Sequence, residues 1–226
     1  MAVVVVRPEP GHAATIAALH AAGLDAMSLP LFAAHAVEWM PPEPETFDAL
    51  LFTSAQGVRL AGSALDPLRH KPAIAVGPAT AVAAREAGLS VVLTGTQDAA
   101  SVVAQARLEG YGRLLHLAGR DRVETGAMTR IVYAADPVGI APDAIAALAG
   151  QIVLLHSARA AARLAELVEQ AGLSRAAISL VAISAKTAAA AGPGWQAVVI
   201  AAPRDDAMVA AARALTAAAA TGISGA

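Results

Sequence analysis

The 226-residue chain is 57% apolar but only 3% aromatic, carries a formal net charge of −2 and has no cysteine. The slightly acidic charge without any basic run argues against bulk nucleic-acid binding, and the missing cysteines exclude disulfides, thiolate catalysis and zinc–cysteine sites. The short apolar run at the start has no basic segment before it, so neither a signal peptide nor a membrane span is predicted.

Apolar runs alternate with alanine-rich helical patterns along most of the chain. The first of these patterns predict a strand at Val3–Val6, a helix at Gly11–Ala22 and a strand at Asp25–Leu29. The prolines within residues 33–46 then predict a connector. The later predicted strands are Ala49–Phe52, Ala73–Val76, Val91–Leu93, Arg113–Leu117, Arg130–Ala135, Ile152–Leu155, Ile178–Ala182 and Ala197–Ile200.

Helical patterns fill most of the gaps between these strands. Predicted helices begin at or near Ala55, Ala79, Ala99, Ala158, Ala185 and Asp205, and a short one is predicted after the polar loop Ala118–Asp121. Strands that alternate with helices at this spacing predict parallel βαβ units and an α/β fold.

Two segments of the chain are echoed about a hundred residues later. Leu51–Gln56 is repeated as Leu154–Arg159, and Ala75–Ala81 as Ala182–Ala188. In each copy a strand ends in a small polar turn that opens a helix, which is where open α/β sheets place ligands. The repetition predicts two related domains with the ligand held between them.

The strand-end motifs form a series along the chain. In order they read VVVVRPEP, LLFTSAQGV, AIAVGPATAVAAREAGL, LLHLAGR, RIVYAADP, IVLLHSARAAARL, LVAISAKTAAAA and VVIAAPRDDAMVAA. From Val3 to about Ala217 this series resembles the uroporphyrinogen-III synthase family. The resemblance implies two flavodoxin-like parallel-sheet α/β domains, joined by two linker strands with a ligand cleft between them. The implied domains are residues 1–33 plus 135–226, and an inserted domain at 36–131.

The resemblance also implies an activity. Enzymes of this family are hydro-lyases that close the linear tetrapyrrole hydroxymethylbilane to uroporphyrinogen III, with loss of water and inversion of the terminal pyrrole ring. No cofactor is expected, because the pyrroles supply the electrons. The expected protein is a cytoplasmic monomer without nucleic-acid or membrane partners. Transient contact with the preceding pathway enzyme, which would hand over the unstable substrate, is left open.

The resemblance implies a proton donor, and strand-end residues suggest how carboxylates could be bound. Tyr133 matches the family's tyrosine that is assigned the role of acid, although a half-buried strand residue is the alternative interpretation. Turn amides bind anions without formal charge. The basic side chains that could add charge at strand ends are Arg7, Arg120, Arg159 and Lys186.

Hydroxyl residues open several of the predicted helices. Ser54 and Ser157 are predicted either as helix N-caps or as ligand contacts, and the same choice stands for Thr80 and Thr187. The histidines lack metal-ligand spacing, so no metal site is predicted. His116 and His156 are expected to be buried and hydrogen-bonded, and a role at the rim of the cleft is the alternative, because both lie at strand ends.

Two other functions compete with the family interpretation. A two-lobed small-molecule binding protein without catalysis would share the same pair of domains. A nucleotide-dependent enzyme is disfavoured, because neither a G-x-G-x-x-G nor a G-x-x-x-x-G-K-[ST] motif occurs in the required context.

Overall fold

The protein is described by a computed structural model over residues 1–9, 11–96 and 98–222. Within these ranges the strands β1 to β11 are, in chain order, Val3–Val5, Ala26–Ser28, Phe32–Ala36, Ala49–Phe52, Ala73–Ala75, Val91–Thr94, Leu114–Gly119, Met128–Pro137, Ile152–Leu155, Ser179–Ala182 and Ala197–Ile200. The α-helices α1 to α8 are Gly11–Ala21, Ala55–Arg59, Pro78–Glu86, Ala99–Leu108, Pro142–Ala146, Ala158–Gln170, Ala185–Ala191 and Asp205–Gly222. Short 3₁₀ helices occupy Pro44–Thr46, Gly62–Leu68 and Arg175–Ala177.

The chain divides into two compact units, which here are called the outer unit and the inserted unit. The outer unit consists of Met1–Ala33 and Pro137–Ala226, and the inserted unit of Ala34–Asp136. Residues 223–226, which the predicted first domain includes, lie outside the described residues.

The outer unit contains a five-stranded sheet in the order β2-β1-β9-β10-β11, and all of its neighbouring strands are parallel. Numbered within the unit, this is the 2-1-3-4-5 order of flavodoxin-like folds. All residues of β1, β9 and β10 are buried, as expected for central strands of a sheet covered on both faces. The predicted fold class is confirmed for this unit.

The inserted unit contains a six-stranded mixed sheet in the order β3-β8-β7-β4-β5-β6. From β8 to β6 the neighbouring strands are parallel, and β3 forms the edge beside β8. Numbered from β4, the five parallel strands follow the doubly wound order 3-2-1-4-5. The chain enters this unit along β3 and leaves it at the end of β8, in the regions that the resemblance assigned to linker strands.

Glycines follow the ends of several helices. Gly23, Gly88 and Gly172 come just after α1, α3 and α6, and each has a φ between 66° and 79°. This left-handed conformation costs glycine little because it has no Cβ. Each of these glycines lets the chain turn away from the helix that it ends.

One predicted element is wrong. No helix follows β7: Ala118 and Gly119 are buried strand residues, and residues 120–127 form an irregular loop. Ala118 pairs with Ile131 and Gly119 with Tyr133, so the hydrogen-bonded ladder with β8 continues into the segment predicted as a loop. The short helix α5, at Pro142–Ala146, is absent from the sequence-based prediction.

The apolar cores are built from aliphatic side chains and a few aromatic rings. In the outer unit Val3, Leu154, Val181 and Met208 pack together on one face of the sheet. In the inserted unit two clusters cover the two faces, one around Phe52 and Leu115 and the other around Leu51 and Ile74. These cores fix the strands, and with them the positions of the turns at the strand ends.

Candidate functional site

Each sheet has one place where the strand order reverses. This switch point lies between β1 and β9 in the outer unit and between β4 and β7 in the inserted unit. Open α/β sheets bind ligands outside the carboxyl ends of the strands at such points. With the exception of Tyr133, which lies in β8, every predicted site residue occupies the turn or the first helical turn after a strand.

Serines at these turns cap the helices that follow. Ser54 Oγ accepts a hydrogen bond from the Gln56 N–H at 3.2 Å, and Ser157 Oγ accepts one from the Ala160 N–H at 3.2 Å. Ser184 caps α7 in the same way. The N-cap role of both predicted serines is therefore present, and each satisfies one of the otherwise unpaired N–H groups at a helix start.

The two predicted threonines are buried in the first turn of their helices. Thr80 is 7% exposed and Thr187 is 3% exposed. The hydroxyl of Thr187 lies 3.0 Å from the Ser184 hydroxyl, so it is already engaged within the turn. Thr80 occupies the same position in α3 as Thr187 does in α7. The N-cap of α3 is Gly77, however, so Thr80 has no side chain at the cap to bond with.

The basic residues that open α6 and α7 are both exposed. Arg159 places its guanidinium 4.2 Å from the centre of the Phe32 ring, a cation–π contact within the outer unit. Lys186 is the second residue of α7 and extends from the same edge of the sheet. These two side chains supply positive charge beside β9 and β10.

Arg7, just beyond the end of β1, is tied into its own unit. Its Nη1 donates to both carboxylate oxygens of Asp205, at 3.1 and 3.2 Å, and lies 3.4 Å from the Thr15 hydroxyl. The backbone carbonyl of Arg7 lies 2.9 Å from His12 Nδ1. Asp205 begins α8, and its carboxylate binds this arginine.

The two histidines at the strand ends differ in their partners. The His116 ring lies 2.9 Å from the Thr53 hydroxyl and 3.3 Å from the Thr125 hydroxyl, so it is buried and hydrogen-bonded as predicted. The His156 side chain is also buried, but neither ring nitrogen has a hydrogen-bond partner among the described residues. Burial lowers the pKa of each to about 4, and nearby arginine charge adds to the effect, so both rings are neutral at pH 7.

Tyr133 lies in β8 beside the end of β7. It is half-buried, and its ring packs against the core that contains Phe52 and Val132. A Cβ at Gly119 would lie 2.6–2.8 Å from the outer ring atoms and hydroxyl of Tyr133, so only glycine leaves the ring its place. The Tyr133 hydroxyl makes no hydrogen bond within the part of the chain that the structure describes.

Arg120 directly follows β7 at the second switch point. Its Nη1 donates to the Asp136 carboxylate at 2.7 Å, and His35 Nε2 lies 3.4 Å from the other oxygen of that carboxylate. All three side chains are between 44% and 56% exposed. The backbone N–H of Arg120 donates to the Tyr133 carbonyl, which places these two candidate residues side by side.

Sequence reasoning missed the partners that hold these residues. Asp205 lies 198 positions from Arg7, and Asp136 lies 16 positions from Arg120, so no local pattern connects either pair. For Tyr133 the sequence offers one signal, which is Gly119 after the apolar residues of β7. A glycine at this position suggests a loop, but in the structure it leaves space for the Tyr133 ring.

Other features of the described residues do not form a competing site. Among residues 1–9, 11–96 and 98–222, no group of three or more His, Asp or Glu side chains is placed to hold a metal. A search of the same residues finds no helix with the length and hydropathy needed to cross a membrane. An apolar groove of about 670 Å³ between α1 and α8 is lined mainly by alanines and lacks the convergent polar groups of a specific ligand site.

Comparison with known proteins gives one family. A family model described as uroporphyrinogen-III synthase HemD matches residues 13–210. The uroporphyrinogen-III synthetase of Helicobacter pylori 26695 is 19% identical and has a TM-score of 0.64, with 95% of this chain and 99% of that one covered. No curated protein matches the chain.

Uroporphyrinogen III synthase structures from the extremely thermophilic bacterium Thermus thermophilus are also similar. A mutant form is 20% identical with a TM-score of 0.48, covering 96% of this chain and 99% of that one. The native form is 18% identical with a TM-score of 0.40, covering 97% and 99%. The Helicobacter structure shows that the two-unit fold is shared, and the family model spans most of the 226 residues. The chain belongs to the uroporphyrinogen-III synthase family.

Proposed function

We propose that this chain is a hydro-lyase that closes hydroxymethylbilane to uroporphyrinogen III. The observation that carries this function is the family match over residues 13–210. The alternative of a two-lobed binding protein without catalysis gains no support from the comparisons.

The main requirement of this reaction is that the protein holds the substrate chain in the right geometry. Hydroxide leaves the terminal hydroxymethyl group and an electrophilic azafulvene remains, which is attacked by the substituted carbon of the last pyrrole. The resulting spiro intermediate fragments and recloses with that ring inverted, and one water is lost overall. A well-oriented intramolecular reaction gains roughly 7–11 kcal/mol relative to an unoriented one. Holding the chain in one curled geometry is therefore the largest contribution that the protein can make.

The substrate's carboxylates need donors, although the chain is slightly acidic. We assign this role to the residues at the carboxyl edges of the two sheets. In the outer unit they are Arg7, Ser157, Arg159, Lys186 and Thr187, and in the inserted unit Ser54, Thr80 and Arg120. Turn amides and these side chains together can bind carboxylates without a large net positive charge.

Tyr133 is the proposed proton donor to the leaving hydroxide. A phenol can donate a proton to a leaving group within hydrogen-bond reach. Two observations support this assignment: the ring is only half-buried, and the absence of a side chain at Gly119 leaves space for the hydroxyl end of the ring. The phenol would return to its protonated state with the proton that the last pyrrole releases after reclosure.

Location and assembly remain predictions. The absence of cysteine is compatible with a reducing compartment, and on that basis we keep the cytoplasm as the proposed location. The protein is proposed to act as a monomer, with the handover of substrate from the preceding enzyme still open.

The test is the identity of the product. Purified protein is mixed with synthetic hydroxymethylbilane, the products are oxidised to porphyrins, and isomers I and III are separated by chromatography. We expect isomer III, formed faster than the uncatalysed closure. Isomer I alone, at the rate seen with heat-inactivated protein, would refute the proposed function.

A further inference from the structure

The carboxylate of Asp205 is surrounded by three residues from other elements of the outer unit. Arg7 Nη1 donates to both of its oxygens, the Thr15 hydroxyl lies 3.3 Å from one of them, and His156 Nε2 lies 3.5 Å from the other. These residues come from the segment after β1, from α1 and from the end of β9, whereas Asp205 begins α8. Four separate parts of the unit therefore meet at one carboxylate.

Arg7 is also held from its other side. Gly11, the first residue of α1, has no side chain, and a Cβ there would overlap the Arg7 guanidinium. Thr15 is fully buried, and its hydroxyl lies 3.0 Å from the Gly11 carbonyl, which fixes the hydroxyl that faces Arg7. The guanidinium thus lies across the start of α1, in a place that this helix leaves open for it.

His156 closes the network without adding charge. Its side chain is 7% exposed, and neither ring nitrogen has a hydrogen-bond partner in the described part of the chain. Because burial lowers the pKa of His156 to about 4, the ring is neutral at pH 7 and the positive charge that faces Asp205 is that of Arg7. The side chains of Arg7 and Asp205 are 29% and 39% exposed, so solvent still reaches this ion pair and screens it in part.

The network leaves part of Arg7 available. Among the described residues, the hydrogen bonds of the Arg7 side chain all use Nη1, and the side chain is 29% exposed. Arg7 and His156 follow β1 and β9, the two strands that flank the switch point of this sheet. The remaining guanidinium N–H groups are of the kind that bind a carboxylate with two parallel hydrogen bonds.

We propose that Asp205 is a positioning residue, which fixes Arg7 at the switch point so that its free guanidinium edge receives a carboxylate of the substrate. This inference rests on the proposed function for the identity of that carboxylate. Asp205 itself does not contact the substrate. It acts by preorganising the arginine, which then binds without a further loss of side-chain freedom.

The inserted unit shows the same combination of residue types in a more exposed form. Arg120 follows a switch-point strand, pairs with Asp136 and has His35 on the far side of that carboxylate. Because all three side chains are about half exposed, solvent screens the pair and the arginine is held less firmly. We therefore expect the outer-unit network to have the larger effect on ligand binding.

Asp205→Asn tests the inference against a matched control in the same helical turn. The control is Asp206→Asn, which removes the same charge from the start of α8 but whose carboxylate pairs with the exposed Arg204. Binding of uroporphyrin III, the oxidised octacarboxylate of the product, is measured by the change in its fluorescence. We expect Asp205→Asn to weaken binding about tenfold, as for the loss of one charge-assisted interaction, and Asp206→Asn to change it less than about twofold.

Two further variants separate positioning from folding. Gly11→Ala displaces the Arg7 guanidinium while Asp205 stays charged, and the same loss of binding is expected. In an Arg7→Ala background, Asp205→Asn should add no further loss, because the two residues act as one unit. Thermal unfolding identifies any variant that has lost its fold, and the turnover assay should show a raised KM with a smaller change in kcat.

Four outcomes would overturn the inference. They are equal binding by the Asp205→Asn and Asp206→Asn variants, tighter binding by Asp205→Asn, an undiminished effect in the Arg7→Ala background, and no binding of uroporphyrin III by the unmodified protein. The binding assay involves no turnover. Failure of the proposed function, seen as isomer I alone, is therefore distinguishable from failure of this network.

Discussion

At the scale of single residues, the hydroxyl of Tyr133 is the group whose role is most directly testable. Removing it by Tyr133→Phe leaves the packed ring in place, so we expect little change in the unfolding temperature. Loss of a general acid costs roughly 10²–10⁴-fold in rate, and we expect turnover to fall within that range. The rate of isomer III formation is the measurement.

The chain offers a matched control for this change. Tyr111 is the other tyrosine of the sequence, and it packs at the edge of a core cluster in the same unit. Tyr111→Phe should leave turnover unchanged. If Tyr133→Phe turns over as fast as Tyr111→Phe, the hydroxyl of Tyr133 is not the acid.

Gly119 provides a second way to test the position of the Tyr133 ring. A Cβ in Gly119→Ala would lie within 2.8 Å of the ring, and the end of the tyrosine side chain is the part that can move away. We expect a loss of turnover comparable with that of Tyr133→Phe, and destabilisation by about 1–2 kcal/mol from overpacking. Turnover and urea unfolding are measured together.

Gly139→Ala is the control for the added methyl group. An added Cβ at Gly139 meets no atom within 4 Å, and its backbone is not in the left-handed region. Activity and stability should both stay near those of the unmodified protein. Full turnover in Gly119→Ala would show that the placement of the ring does not matter for the reaction.

At the scale of secondary-structure elements, the serine caps carry two proposed roles that a single substitution can separate. Ser157 Oγ accepts from the Ala160 N–H at the start of α6, a 13-residue helix. Ser157→Ala should cost about 1 kcal/mol of unfolding free energy, as is typical for the loss of an N-cap. If Ser157 also contacts the substrate, KM rises as well.

Ser174 supplies the comparison for this element. It precedes the 3₁₀ helix Arg175–Ala177, and its side chain makes no capping hydrogen bond. Ser174→Ala should therefore change unfolding free energy by less than about 0.5 kcal/mol. A Ser157→Ala variant as stable as Ser174→Ala would remove the capping role.

The elements also show where local pattern is insufficient. Most strands and helices begin within one or two residues of their predicted positions, because a buried parallel strand needs a continuous apolar run. The prediction fails at the end of β7 since Gly119 is a loop residue by composition, yet its pairing with Tyr133 extends the strand. That pairing depends on a neighbour strand, which local sequence does not contain.

At the scale of the whole molecule, two buried neutral histidines make stability depend on pH. His116 in the inserted unit and His156 in the outer unit each have a folded-state pKa of about 4, below the ordinary value of 6.5. In the unfolded chain each histidine binds a proton at a higher pH than it does in the folded protein. The stabilisation by the neutral rings is therefore complete above pH 6.5 and is lost as the pH drops towards 4. Each histidine contributes a slope of up to about 1.4 kcal/mol per pH unit.

Chemical unfolding at a series of pH values between about 7 and about 4 measures this slope. His116→Asn should reduce it, whereas His70→Asn, at an exposed turn, should leave it unchanged. If the slope of unfolding free energy against pH is the same in His116→Asn as in His70→Asn, His116 is not a buried neutral ring. Carboxylate pairs such as Asp48 with Arg113 contribute at lower pH, since hydrogen bonds from Arg113 lower the pKa of Asp48.

How much of the candidate site could be read from the sequence differs from residue to residue. The positions of Ser54, Ser157 and Lys186 followed from a strand pattern that ends where a helical pattern begins. Their assignment as substrate contacts stays a prediction, as do the proposed domain boundaries. The partners of Arg7 and Arg120 could not be foreseen, because they come from segments that only folding brings near.

The sequence by itself determined the α/β class, the order of the elements and the family. Buried strands, helix ends and motif order are local or sequential properties, each written in consecutive residues. The tertiary structure alone decided that Gly119 makes room for Tyr133, that His156 is buried without a hydrogen-bond partner among the described residues, and that Asp205 holds Arg7. Those relations depend on side-chain volume and on distances between residues far apart in the chain, which are fixed only when the sheets form and their cores pack.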